Sequence, residues 1–203
     1  MTSLKSMQQT DTTLSLDLIQ TIAQKTEVKL YDVLKILHII SSEHKIANSI
    51  LVQQTGIPKT QMGRILSFLS PFLNPPSPFV VLKEEVQQEV KELVDRYYIT
   101  SDDPAHEQKI RAQVHESHRA RPTPIRDFDQ FLATDQTVIK RACYLLDQGE
   151  LVHTKVLFLG DDDHTSLAVA SVAIESKVTV LDIDERILNS IADMSKSHQY
   201  GTE

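Results

Sequence analysis

The feature that most constrains this chain is an apolar run that ends in acid. Residues 156–166, VLFLGDDDHTS, lead into the helical run SLAVASVAI, a second apolar segment VTVLDID and the helix-like start ERIL. Short apolar runs bounded by turn formers read as strands buried on both faces, so the stretch predicts a β-α-β-α series. In such units the loop after the first strand approaches a nucleoside, and an acid about 20 residues later holds the ribose hydroxyls. Gly160 and Asp182 fit those two roles. Asp184, just beyond, suits either a ligand contact or a cap on the following helix. Where glycines normally let backbone N–H groups cradle an anion, three aspartates stand in a row, Asp161, Asp162 and Asp163. Such a loop repels phosphate and carboxylate. The positive end of the following helix favours its ionised form, so it should attract an ammonium group. The plain alternative is a solvated charge run. His164 reads as a surface residue at the helix start, and without a second His or Cys nearby no metal site is expected.

Upstream, the spacing of Leu30, Val33, Leu34, Leu37 and Ile40 predicts a helix over 30–41, after a weaker amphipathic pattern over 14–24. A third helical run carries Ile46, Ile50 and Leu51 and stops at Thr55-Gly56, after which Pro58 opens a fourth with Met62, Ile65, Leu66, Leu69 and Phe72. Beyond the breakers Asn74-Pro75-Pro76-Ser77-Pro78, the β-prone FVVL is a candidate wing strand, and a further helix is expected over 83–98. The polar, His- and Arg-rich stretch 105–121 reads as a helical or extended connector. RPTPIRDFDQFLATDQT reads as an ordered loop leading into a helix capped by Thr134, which ends at Gly149. The organisation expected is an α-rich winged-helix-like domain over 1–100, a connector and loop over 101–133, and an α/β unit over 134–203.

Charge narrows the partners. Among 203 residues, 21 Lys and Arg face 28 Asp and Glu, a net charge of -7, which argues against broad nucleic-acid binding. The lone Cys143, in a helical apolar pattern, reads as a buried thiol in a reducing compartment. The polar first dozen residues lack the apolar core of a signal peptide, and no segment approaches the roughly 20 apolar residues of a membrane span. A cytoplasmic protein is expected.

RPTPIRDFDQFLAT, GDDDHTS and VLDIDERIL together resemble the archaeal and bacterial N(4)-bis(aminopropyl)spermidine synthases, most firmly over 110–195. The resemblance implies a winged-helix-like domain followed by a methyltransferase-like Rossmann domain, a cytoplasmic dimer in the full-length form, and transfer of aminopropyl from decarboxylated S-adenosylmethionine to the secondary amine of spermidine. That donor is a co-substrate, and no cofactor is implied. It has lost its carboxylate and keeps a sulfonium and an ammonium, which an acidic loop would select. The related linear spermidine synthases carry a GGGDG loop whose aspartate holds the donor's amine. Direct register assigns Asp163 that role, with Asp162 orienting the acceptor or taking its proton. Gly160, Asp161, Asp163, Asp182 and Asp184 then form the donor side, and Asp129 and Gln130 belong to a segment that lines the site or simply hydrogen-bonds within its loop. The family usually has Leu where this chain has His164. Its later strands and acceptor-side acids have no counterpart here, so the chain is expected to hold part of a donor site, to be inactive or nearly so alone, and to be unstable or to associate with another chain through hydrophobic edges. The rival class is a DNA-binding regulator reading through Lys59, Gln61 and Arg64 on the helix after Pro58.

Overall fold

A computed structural model describes residues 13–75, 77–198 and 200; the signal-peptide reading of the first dozen residues lies outside them. The chain divides into two units, Met1–Arg96 and Tyr97–Glu203.

In the first unit, α1 (Leu16–Thr26), α2 (Leu30–Glu43), α3 (Asn48–Thr55) and α4 (Lys59–Leu69) pack around an apolar centre. Ser15 caps α1 by accepting the Leu18 N–H, and Gly56, at φ 71°, ends α3 in the left-handed conformation that its missing Cβ makes cheap. The third helical run begins later than its periodicity suggested. Ile46 belongs instead to the strand β1 (Ile46–Ala47), antiparallel to β2 (Phe79–Val80), and Ile50 is left exposed. An antiparallel bridge between Leu73 and Leu82 extends this small sheet beyond the proline breaker. A 3₁₀ turn over Glu84–Val86 then leads into α5 (Gln87–Tyr97).

In the second unit, the stretch 105–121 is a structural helix, α6 (Pro104–Ala120), capped by Asp103 and packed on the elements that follow. It buries Ile110, Gln113, Val114 and Ser117, a mixed face too polar for a hydrophobic period to reveal. Thr134 caps α7 (Asp135–Asp147), where Cys143 is half-buried rather than buried; burial still pushes its thiol up. Then β3 (Lys155–Leu159), α8 (Thr165–Ala170), β4 (Lys177–Leu181) and α9 (Glu185–His198) follow, with β3 and β4 parallel and in register from Lys155↔Lys177 to Leu159↔Leu181.

These strands are not buried on both faces. Leu167, Val180, Ile187, Ile191 and Met194 form the core beneath one side of the pair, joined by Phe158. Alternation sends Leu157, Leu159 and Leu181 to the other side, where they are exposed, as is Ile183 beyond the end of β4. No described helix is long and apolar enough to cross a membrane.

Candidate nucleoside site

Parallel strands deliver their C-terminal ends to one edge of a sheet, and here both ends carry acid. Gly160 follows β3 at φ 77° and donates its N–H to the carbonyl of Leu181, which turns the chain sharply into the acidic loop. Asp182, at the end of β4, holds that loop: its Oδ2 accepts the Asp161 N–H at 2.9 Å, and its Oδ1 accepts the Asp184 N–H at 2.9 Å. Beside it opens a pocket of ≈ 640 Å³ lined by Phe128, Asp129, Gln130, Leu159, Gly160, Asp162, Leu181, Asp182 and Ile183. The lining contains three carboxylates, four large apolar side chains and no cation.

The three loop aspartates occupy three environments. Asp161 is 2% exposed and turns inward, its carboxylate accepting the Ser166 N–H at 3.2 and 3.1 Å at the start of α8. Burial dominates over that bond and pushes its carboxyl up to about 7, so the helix end does not keep this acid firmly ionised as its position suggested. Asp162 is half-buried in the pocket wall and accepts the Phe131 N–H at 3.0 Å; burial, then the charge of Asp163, raise its pKa. Asp163 is 5% exposed, pairs with Arg141 of α7 at 2.7 Å and accepts the Thr165 hydroxyl at 2.6 Å. It is absent from the pocket lining.

Asp184 is also withdrawn from the pocket. Arg186 Nη2 lies 2.6 Å from its Oδ2 and Gln130 Nε2 3.0 Å; these bonds hold its carboxyl below the usual carboxylate range. Its Oδ1 accepts the Arg186 N–H at 3.0 Å, so it caps α9, the structural alternative left open by its spacing. Asp129 is exposed at the pocket rim with φ 54°.

His164 overturns its expected surface placement. It is fully buried at φ 58°, and burial lowers its pKa to about 4. Sequence reasoning also missed Arg141 and Arg186, the cations that neutralise Asp163 and Asp184. Arg186 stands two residues from its partner and was findable as a helix-start pair, whereas Arg141 lies 22 residues from Asp163 with no local signal. Among the described residues no cluster suited to a metal ion occurs.

Part of the second unit is similar to known proteins. Residues 109–203 match the branched-chain polyamine synthase A C-terminal domain. N(4)-bis(aminopropyl)spermidine synthase of Methanocaldococcus jannaschii is 33% identical over 93 residues, 46% of this chain and 27% of that protein. The enzyme of the same name from Thermococcus kodakarensis is 37% identical over 83 residues, 41% and 24% of the two chains. In both pairs the match spans about a quarter of the relative's length. The crystal structure of the Thermus thermophilus branched-chain polyamine synthase, in complex with N4-aminopropylspermidine and 5′-methylthioadenosine, aligns with a TM-score of 0.45 and 21% identity, over 94% of this chain and 58% of that one. The matched residues, 109–203, a little under half of the chain, contain the acidic loop, both strand ends and every residue lining the pocket.

Proposed function

We propose that this chain provides the donor side of an aminopropyltransferase of branched-polyamine synthesis, taking decarboxylated S-adenosylmethionine and serving transfer to the secondary amine of spermidine. The observation that carries this reading is the pocket at the ends of β3 and β4, where Asp129, Asp162 and Asp182 converge with no Lys, Arg or His in the lining. A cationic nucleoside suits it: Leu159, Leu181, Ile183 and Phe128 offer apolar contact to base and thioether, and the acids offer acceptors to hydroxyls and ammonium. Asp182 keeps lone pairs for a ribose diol, because each of its oxygens accepts only one protein N–H. A carboxylate-bearing nucleoside such as S-adenosylmethionine would meet three like charges.

In this reading the ammonium-anchoring role falls to Asp162, which lines the pocket, rather than to Asp163, which does not. Asp163 is neutralised by Arg141 and supports the loop, whereas Asp162 faces the pocket. In the transfer, the neutral acceptor nitrogen attacks the methylene carbon next to the sulfonium. The C–N bond forms as the C–S bond breaks, 5′-methylthioadenosine leaves, and the new ammonium gives up its proton. With Asp162 paired to the donor's ammonium, that proton leaves to water at the exposed rim beside Asp129. The parallel pair with its helices is read as part of a methyltransferase-like Rossmann domain, the first unit as winged-helix-like, and the protein as a cytoplasmic dimer.

The regulator reading loses its contacts. Of the three side chains on α4 available to DNA, Gln61 donates to the Thr26 carbonyl at 3.4 Å and Arg64 donates to that of Lys25, leaving Lys59. Calorimetric titration separates the remaining readings. Decarboxylated S-adenosylmethionine should bind at least about tenfold tighter than S-adenosylmethionine, a difference of about 1.4 kcal/mol. Equal or reversed preference would refute the cation-selective site and favour methyl transfer.

A further inference from the structure

A strap, residues 125–131, supplies Phe128, Asp129 and Gln130 to one wall of the pocket, and the Gln130 side chain joins it at two points. Gln130 Oε1 accepts the Ile125 N–H at 2.8 Å, and its Nε2 donates to Asp184 Oδ2 at 3.0 Å. Its amide orientation is fixed by these partners, since an N–H needs the oxygen and a carboxylate needs the nitrogen. The next residue, Phe131, donates its N–H to Asp162 Oδ2 at 3.0 Å, and the preceding Asp129 is held at φ 54° on the rim. We infer that Gln130 is a positioning residue: it latches the strap to the Asp184 carboxylate at the foot of α9, and through the strap sets Asp129 and Asp162 at the pocket. One partner at each end of the amide ties Gln130 to the strap and to α9, so its role is to position these acids.

Gln130→Glu tests the latch with almost no change of shape. The charged groups around position 130 are Asp184 and Arg186 at the start of α9, Asp129 beside it, and Asp162 and Asp182 in the pocket. Arg186 keeps Asp184 ionised, so an ionised carboxylate introduced at position 130 meets a like charge, while a neutral carboxyl there donates to Asp184 as the amide does. Amide hydrogen exchange at Ile125 and Phe131 reports the strap directly. Relative to the unsubstituted chain at the same pH, protection in Gln130→Glu should fall at least about tenfold at about pH 8 and recover at about pH 4.5, where a like-charged neighbour keeps the introduced carboxyl neutral. Gln130→Leu should lose protection at both. Retained protection in Gln130→Glu at the higher pH, or loss at both, overturns the latch.

The latch rests on the proposed pocket only for its consequence, which a second arm reads. Gln130→Leu, which adds no charge to the lining, should bind decarboxylated S-adenosylmethionine more weakly while 5′-methylthioadenosine, held by Asp182, changes little. If the unsubstituted chain binds neither compound, the pocket assignment fails, and the exchange data still decide the latch.

Discussion

Both units bury apolar side chains, but they differ in the polar groups they bury with them. The first follows the usual partition: Ile19, Ile22, Leu34, Ile36, Leu37, Ile40, Leu51, Met62, Ile65 and Leu69 are fully buried, and among its described residues Thr26 is the only buried polar one. The second hides Gln113, Ser117, Asp161, Asp163, His164, Thr165, Ser166, Asp184 and Ser195, and leaves Phe131, Leu159 and Ile183 more than three-quarters exposed. Buried acids destabilise a fold unless hydrogen-bonded, and exposed apolar clusters mark contact surfaces. The contrast teaches where each unit's sequence is committed: the first to its own stability, the second to holding acids at the ends of β3 and β4.

Truncating the apolar centre should give the largest effect. Leu37→Ala removes a fully buried side chain from α2 and should destabilise the first unit by about 2 to 5 kcal/mol, read by chemical denaturation. A loss below about 1 kcal/mol would mean that this centre is not the stabilising element.

The second unit should instead show opposed pH dependences. Asp161 titrates near about 7 when folded against 3.8 for a free carboxyl, so between these values the folded state holds a proton that the unfolded state has lost. Its contribution therefore makes stability fall as pH rises. His164, lowered to about 4 from 6.5, does the reverse, because over that window the unfolded state binds the extra proton and stability rises with pH. The two offset between about pH 4 and 6.5. Asp161→Asn should expose the rising slope and His164→Leu the falling one, each up to about 1.4 kcal/mol per pH unit in thermal or denaturant unfolding. Unchanged pH profiles in both variants would show that neither group is buried as described.

The smallest effect is expected on the exposed strand face. Leu159→Ser, at a position 77% exposed, should alter stability by no more than about 0.5 kcal/mol while weakening nucleoside binding at the pocket wall. A large destabilisation would place Leu159 inside a core instead.

The β-α-β-α order, the Gly160 turn, the Thr134 cap and the α2 and α4 helices were legible because each rests on local spacing or on one residue's conformational preference. Ile46 was misplaced into a helix because its strand partner, Val80, is far along the chain and leaves no periodic trace. The strands' exposed face was unreadable for a related reason: KVLFL is apolar on both sides, and only the packing of α8 and α9 decides which side is covered. In the site, the acids were visible and their division of labour was not. Asp161, Asp162 and Asp163 are adjacent and identical, and what separates them is contact with Ser166, Phe131 and Arg141. Register with a related loop pointed to Asp163, whereas the pocket wall carries Asp162.

That division is the central claim, and one titration tests it. Decarboxylated S-adenosylmethionine is titrated into the chain and into Asp162→Asn and Asp163→Asn, with circular dichroism confirming that both variants remain folded. The structure predicts at least about a tenfold loss of affinity in Asp162→Asn and less than about threefold in Asp163→Asn, since only the first removes a charge facing the pocket. A larger loss in Asp163→Asn, with Asp162→Asn near the original affinity, would contradict it.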